Sequence, residues 1–156
     1  MAEHARARSR TGLQVAALAV AGILLLLGVL GFVPGITTDY AELRFAGPDS
    51  GAQLFGLFQV SFLHNILLLG SGLAGLLLAR RVGGARVFLT VGGALTLALW
   101  IYGLVIDRSS SANVIPVNDA DNWLHLGLGF AMLVLGLLLS NQKGTGGRLD
   151  TPLDRP

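Results

Sequence analysis

The chain contains no cysteine, which excludes disulfides, thiolate metal sites and thiol catalysis and says nothing of redox compartment. Charge is scarce as well: Asp, Glu, Lys and Arg make up 13% of its 156 residues, where a soluble domain carries about a quarter. Missing too are a serine nucleophile with base and orienter, an H-E-x-x-H pair and a phosphate-cradling glycine loop, so no enzymatic activity is expected. None of the nine acidic residues falls inside a long apolar run. A proton-coupled exporter wants an acid within its spans, so a small-solute transporter stands only as a secondary alternative and would require an oligomer.

What the chain has in abundance is apolar length. Hydrophobic residues supply 53% of it, with a mean hydropathy of +0.67. Four runs, Leu13 to Val33, Phe55 to Ala79, Val87 to Ile106 and Trp123 to Leu139, each approach the roughly 20 residues needed to cross a bilayer core. Backbone groups in hydrocarbon must be satisfied within their own segment, and the runs lack the alternation of barrel strands, so each predicts a helix. The expected fold class is all-α: a bundle of four transmembrane helices in one membrane domain over residues 12–141. Arg6, Arg8 and Arg10 precede the first run as in a signal peptide. That run exceeds the usual h-region, however, and no A-x-A-like site follows, so it reads as a retained anchor.

Nine of the eleven Lys and Arg residues fall on one side of this plan. They are the three arginines before the first run, Arg80, Arg81 and Arg86 in the second connection, and Lys143, Arg148 and Arg155 in the tail. The first and third connections hold only Arg44 and Arg108, accompanied by Asp39, Glu42, Asp49, Asp107, Asp119 and Asp121. By the positive-inside rule both termini are expected in the cytoplasm. The same distribution accounts for a pI near 9.7 without a nucleic-acid partner, because the arginines flank apolar segments instead of forming a basic face. The expected partners are membrane lipid and a second copy or another membrane protein. Residues 1–11 read as a polar arm and 142–156 as a disordered tail.

Two polar islands interrupt the apolar runs: Ser61-Phe62-Leu63-His64-Asn65 in the second, and Asn122-Trp123-Leu124-His125 at the start of the fourth. On a helical repeat Ser61, His64, Ser71 and Gly75 share one face of the second helix, and His125, Gly129, Met132 and Gly136 share one of the fourth. Small residues in such stripes let helices approach closely. Superposing the histidines aligns Phe62 with Trp123 and Gly75-Leu76-Leu77-Leu78 with Gly136-Leu137-Leu138-Leu139. Both histidines then lie in one layer, about 24 Å from the cytoplasmic end. Together with Gln59, Asn65, Asp121 and Asn122 they make a polar layer toward the outer face. Asp119 or Asp121 is expected to cap the fourth helix, and Asp121, four residues before His125, to pair with it. Asp39 to Phe45 reads as a short interfacial helix, and Trp100 with Tyr102 as an aromatic belt.

Several of these stretches are similar to an actinobacterial family of four-helix membrane proteins known as a domain of unknown function. They are Gly56-Leu57-Phe58-Gln59-Val60-Ser61, His64-Asn65 through Gly72 and Gly75, Trp100-Ile101-Tyr102-Gly103, and Ala120 through Gly129. The resemblance spans roughly residues 13–140 and implies four spans in a bacterial plasma membrane, with no activity attached. It has two departures. The family pattern H-N-x-x-H ends here on Leu68, and an acidic position is occupied by Gln59.

Ionisable groups in a membrane are candidate functional sites, and the histidines admit several readings. The first is structural: His64, Asn65, Ser61 and His125 bond helices together at about 0.6–2 kcal/mol each, in a structural or interaction component. The chief alternative is a small b-type cytochrome with His64 and His125 as axial ligands of haem b. A copper or zinc site would need further ligands, from Asp121 or Met132.

Overall fold

The computed structural model describes residues 10–139; the arm before Arg10 and the tail from Ser140 onward lie outside the described residues. Four helices carry the fold: α1 (Gly12–Leu30), α2 (Phe62–Leu78), α3 (Val82–Val105) and α4 (Asp119–Leu138). Three of them, α1, α3 and α4, are long and apolar enough to cross a membrane, whereas α2 is apolar but has 17 residues, about 26 Å of helix rise. Leu26, Leu73, Leu95, Leu104, Phe130 and Leu138 point outward and are exposed. Such an apolar exterior belongs to a protein solvated by lipid.

The helices form two hairpins, α1 packed chiefly on α2 and α3 on α4. Lipid tails are as apolar as leucine, so association rests on close van der Waals approach, and small residues permit it. A Cβ added at Gly72 would stand 2.9 Å from the Ala21 carbonyl oxygen; one at Gly93 would stand 2.9 Å from that of Gly129, and one at Gly129 3.0 Å from that of Gly93. Where the hairpins join, Leu13, Ala17, Ala21, Phe88, Leu89 and Met132 form the buried core. Away from the cap described next, Thr11 and Gln14 make a capping box at the start of α1. The Gln14 amide also donates to the carbonyls of Ala79 (3.0 Å) and Arg80 (3.1 Å), closing the end of α2.

The all-α expectation needs correcting at the other end. A three-stranded antiparallel sheet, in the order β1 (Thr37–Thr38), β2 (Gln53–Leu54), β3 (Phe58–Gln59), caps the bundle. Thr37 faces Leu54, and Leu54 faces Phe58. The helix expected from Phe55 therefore starts at Phe62. The reversal between β2 and β3 places Phe55 at φ 56° and Gly56 at φ 68°, the left-handed region that ends any helix. Ala52, Leu54 and Val60 pack beneath the sheet with Leu27, Leu30 and Phe58. Asp39 to Phe45 contains only a 3-10 turn at Tyr40–Glu42. Conversely α4 begins earlier than expected, at Asp119, because Asn118 and not an aspartate is its N-cap, with Asp121 completing a capping box. The helix starting at Val87 by sequence begins at Val82, and α1 stops at Leu30.

Candidate functional site

Both polar islands meet beneath the cap. Ser61 is the N-cap of α2 and its hydroxyl accepts from the His64 amide at 3.1 Å. The next free amides of that first turn, Phe62 and Leu63, donate to the carbonyls of Arg44 (2.9 Å) and Phe45 (2.8 Å). Helix start and cap are thus one hydrogen-bonded unit. Ser50, fully buried, organises the cap from within: its hydroxyl donates to the Val60 carbonyl (2.6 Å) and accepts from the Arg44 amide (3.2 Å). The Ser50 carbonyl in turn accepts from the side chain of Gln59 (2.8 Å).

Asp121 ties this cap to α4. Its side chain, 1% exposed, accepts through Oδ2 from the backbone amides of Gln59 (3.0 Å) and Asn118 (2.9 Å). In return the Asn118 side-chain oxygen accepts from the Asp121 amide (3.0 Å), and its side-chain nitrogen donates to the Leu57 carbonyl (2.7 Å). The expected pairing of Asp121 with His125 is therefore replaced. Among the described residues no hydrogen bond joins them, because the carboxylate turns back toward the N-cap and β3. The early start of α4 also brings Asp119 and Asp121 into its first turn, ahead of the apolar run that begins at Trp123.

The histidines come together. The rings of His64 and His125 lie with centroids 6.1 Å apart and planes at 47°, and they are 8% and 6% exposed. In each, Nδ1 is buried without a hydrogen-bond partner among the described residues. Both line one small cavity of about 30 Å³, with Asp121 and an apolar wall that includes Leu24, Leu27, Leu68, Leu124 and Leu128. That volume holds about one water molecule. It does not admit a porphyrin, so the haem b arrangement with His64 and His125 as axial ligands is not accommodated. Nor is a site of three or more ligands assembled: among the described residues no three His, Asp or Glu side chains gather closely enough to hold a metal. Met132 is buried against Gly92 instead of lining this cavity.

Two asparagines flank the pair. Asn65 is fully buried with its side chain pressed against Gly31 of α1's end, and neither of its amide atoms finds a partner among the described residues. Asn122 is pressed against Gly103 and donates to its carbonyl (3.1 Å). Of the small residues proposed for packing, Gly75 meets Ala21 and Phe88, Gly129 meets Gly93 and Leu97, and Gly136 meets Leu89 and Thr90. Ser71 is exposed, and Gly72, the next residue, takes the interface in its place. The buried face of α2 runs through His64, Asn65, Gly72 and Gly75, a line about one residue round the helix from the one expected.

A second concavity of about 720 Å³ opens between the cap-side ends of α3 and α4, lined among others by Trp100, Gly103, Asp107, Arg108, Asp119 and Trp123. Arg108 pairs with Asp119 at 2.6 Å at its exposed rim. Hydrogen bonds from the Ser109 side chain and backbone hold the Asp107 carboxyl below the ordinary carboxylate range.

Residues 14–138, which run through all four helices, match the family described as Domain of unknown function (DUF4383). The chain belongs to that family. No curated protein and no solved structure matches it. In this DUF4383 protein Leu68, where the family resemblance departed, lies on the wall of the histidine cavity. Two residues of the site escaped sequence reading, Ser50 and Asn118, as did Gln14 at the opposite end of the bundle. Thr11-Gly12-Leu13-Gln14 carries the spacing of a capping box, a legible signal. Ser50 had none, since its role depends on a sheet formed by residues distant in sequence.

Proposed function

We propose that this DUF4383 protein is a non-enzymatic component of a bacterial plasma membrane. All four helices cross, α2 included, and both termini are cytoplasmic, so the sheet cap faces outward. Its role is structural or adhesive within the membrane, toward lipid and toward a second copy or another membrane protein. The observation that supports this reading best is the Asp121 carboxylate. Its Oδ2 accepts two backbone amides, one from β3 and one from the N-cap of α4, and so fastens cap to helix. The basic residues favour the orientation, since nine of eleven fall on the side of the termini.

The absence of cysteine makes the orientation simple to test. Leu57→Cys, on the exposed hairpin tip, labels with a membrane-impermeant maleimide in intact cells, and Gly83→Cys labels only after lysis; the reverse pattern overturns the orientation. An absorption spectrum of detergent-purified protein from haem-replete cells tests the role. A colourless protein that loses thermal stability as His64→Ala and as His125→Ala agrees with the structural role. A stoichiometric Soret band lost in both variants refutes it.

A further inference from the structure

We propose that His64 and His125 form a two-coordinate site for a monovalent d10 metal ion, Cu(I) being the biological member of that class. The first ground is distance. An imidazole nitrogen binds such a metal at about 2.0 Å, and a ring nitrogen lies about 1.1 Å from its ring centre, so two imidazoles sharing one ion in line are about 6.2 Å apart between centres. The two rings are 6.1 Å apart. Rings in direct hydrogen bond or stacked contact would sit at other separations, and neither arrangement is present here.

The second ground is unmet bonding. Each ring is more than nine-tenths buried and each Nδ1 is without a hydrogen-bond partner among the described residues. Buried polar atoms in this state call for an explanation, a bound water or ion among them. The third is space: the cavity that both rings line has a volume of about 30 Å³, enough for one ion or one water and nothing larger.

Chemistry narrows the ion. Calcium and magnesium require six or more oxygen ligands, and zinc takes four. Only two nitrogens are on offer, and the rest of the wall is almost wholly leucine and other apolar side chains. Two neutral nitrogen donors in line suit a d10 monocation, which needs no third ligand, and imidazole is among the ligands that copper accepts. Asp121, lining the same cavity, is the acidic group placed to balance the charge of a bound cation, and a buried charge is tolerable only when paired.

The test uses the full-length protein in detergent. Under anaerobic, reducing conditions Cu(I) is titrated against a competing chelator, with Ag(I) as a redox-inert second probe. One ion per chain is expected, with affinity falling at least tenfold in His64→Ala and in His125→Ala. His4→Ala, which removes the third histidine of the sequence, leaves it unchanged. Should either variant fail to fold, copper X-ray absorption on the loaded wild-type protein decides the matter, because a two-nitrogen linear site has a distinct edge. Less than stoichiometric binding, an ion retained after either histidine is removed, or an edge of three- or four-coordinate copper overturns the proposal. Each of these outcomes leaves the labelling pattern and the Soret test untouched, so this site fails or stands apart from the structural role.

Discussion

Asp119 and Asp121 stand two residues apart in the first turn of α4, and the structure assigns them opposite weights. Asp121→Ala removes the acceptor shared by the amides of Gln59 and Asn118. Leaving a buried donor unsatisfied costs about 1–3 kcal/mol. Both bonds are only part-buried, so water recovers some of that, and the lower half of the range applies to each, giving about 3 kcal/mol together. For a chain of this size that corresponds to a fall in Tm of roughly 6–12 °C. Asp121→Asn keeps an oxygen in place but loses the charge, and charged hydrogen bonds are about twice as strong as neutral ones, so it should lose about half as much. Asp119→Ala removes only a rim ion pair whose carboxylate is 83% exposed, a loss below about 1 kcal/mol. Thermal unfolding in one detergent, followed by circular dichroism, ranks the three variants. Limited chymotrypsin digestion adds location: the Phe55 tip is already exposed, and loosening the cap lets it unfold into the protease, so first cleavage there should accelerate in Asp121→Ala alone. A Tm for Asp121→Ala within 2 °C of wild type, or equal effects at 119 and 121, would show that the carboxylate does not hold the cap.

Gly129→Ala, whose Cβ would stand 3.0 Å from the Gly93 carbonyl, should destabilise by about 1–3 kcal/mol through overpacking. Gly127→Ala, with nothing within 4 Å of its Cβ, should be neutral or gain up to about 1 kcal/mol from helix propensity; equal Tm changes for the two would contradict the packing. Gly72→Leu should disrupt the α1 and α2 hairpin while Ser71→Leu is tolerated, read as monodisperse against aggregated protein on gel filtration. Asn122→Ala forfeits its bond to the Gly103 carbonyl and should cost about 0.6–2 kcal/mol in Tm-derived stability. Leu68→His adds a third imidazole to the cavity wall and should confer zinc binding measurable by calorimetry, since three nitrogens and a water complete a tetrahedral site; a variant that folds yet binds no zinc would argue that the two native rings do not converge on the cavity.

Much of this protein is legible without coordinates. Four long apolar runs can only be helices where the solvent offers no hydrogen bonds, and their spacing gives two hairpins joined by a short turn. The two polar islands were visible as candidates because ionisable groups stand out against leucine. The boundaries were less legible. Phe55-Gly56-Leu57-Phe58 is as apolar as the helix it precedes, yet it forms a β-turn, because its fate rests on the pairing of Phe58 with Leu54 and of Leu54 with Thr37, and on Ser50 inside the cap. Hydropathy is blind to such pairing. Ser71 and Gly72 show the same limit at finer grain, since a helical wheel gives a face to within about one residue and only the neighbouring helix decides which side chain it meets.

Composition and periodicity, then, determined the helical framework, the number of helices and the residues worth watching, because burial of apolar surface and satisfaction of backbone bonds follow from local sequence. Tertiary structure alone decided that His64 and His125 lie 6.1 Å apart with orphan nitrogens, and that Asp121 serves the cap and not the histidine one turn along. Those outcomes depend on how one hairpin leans on the other, a matter of glycine contacts and a sheet assembled from three separate strands. No single stretch of the chain encodes such an arrangement.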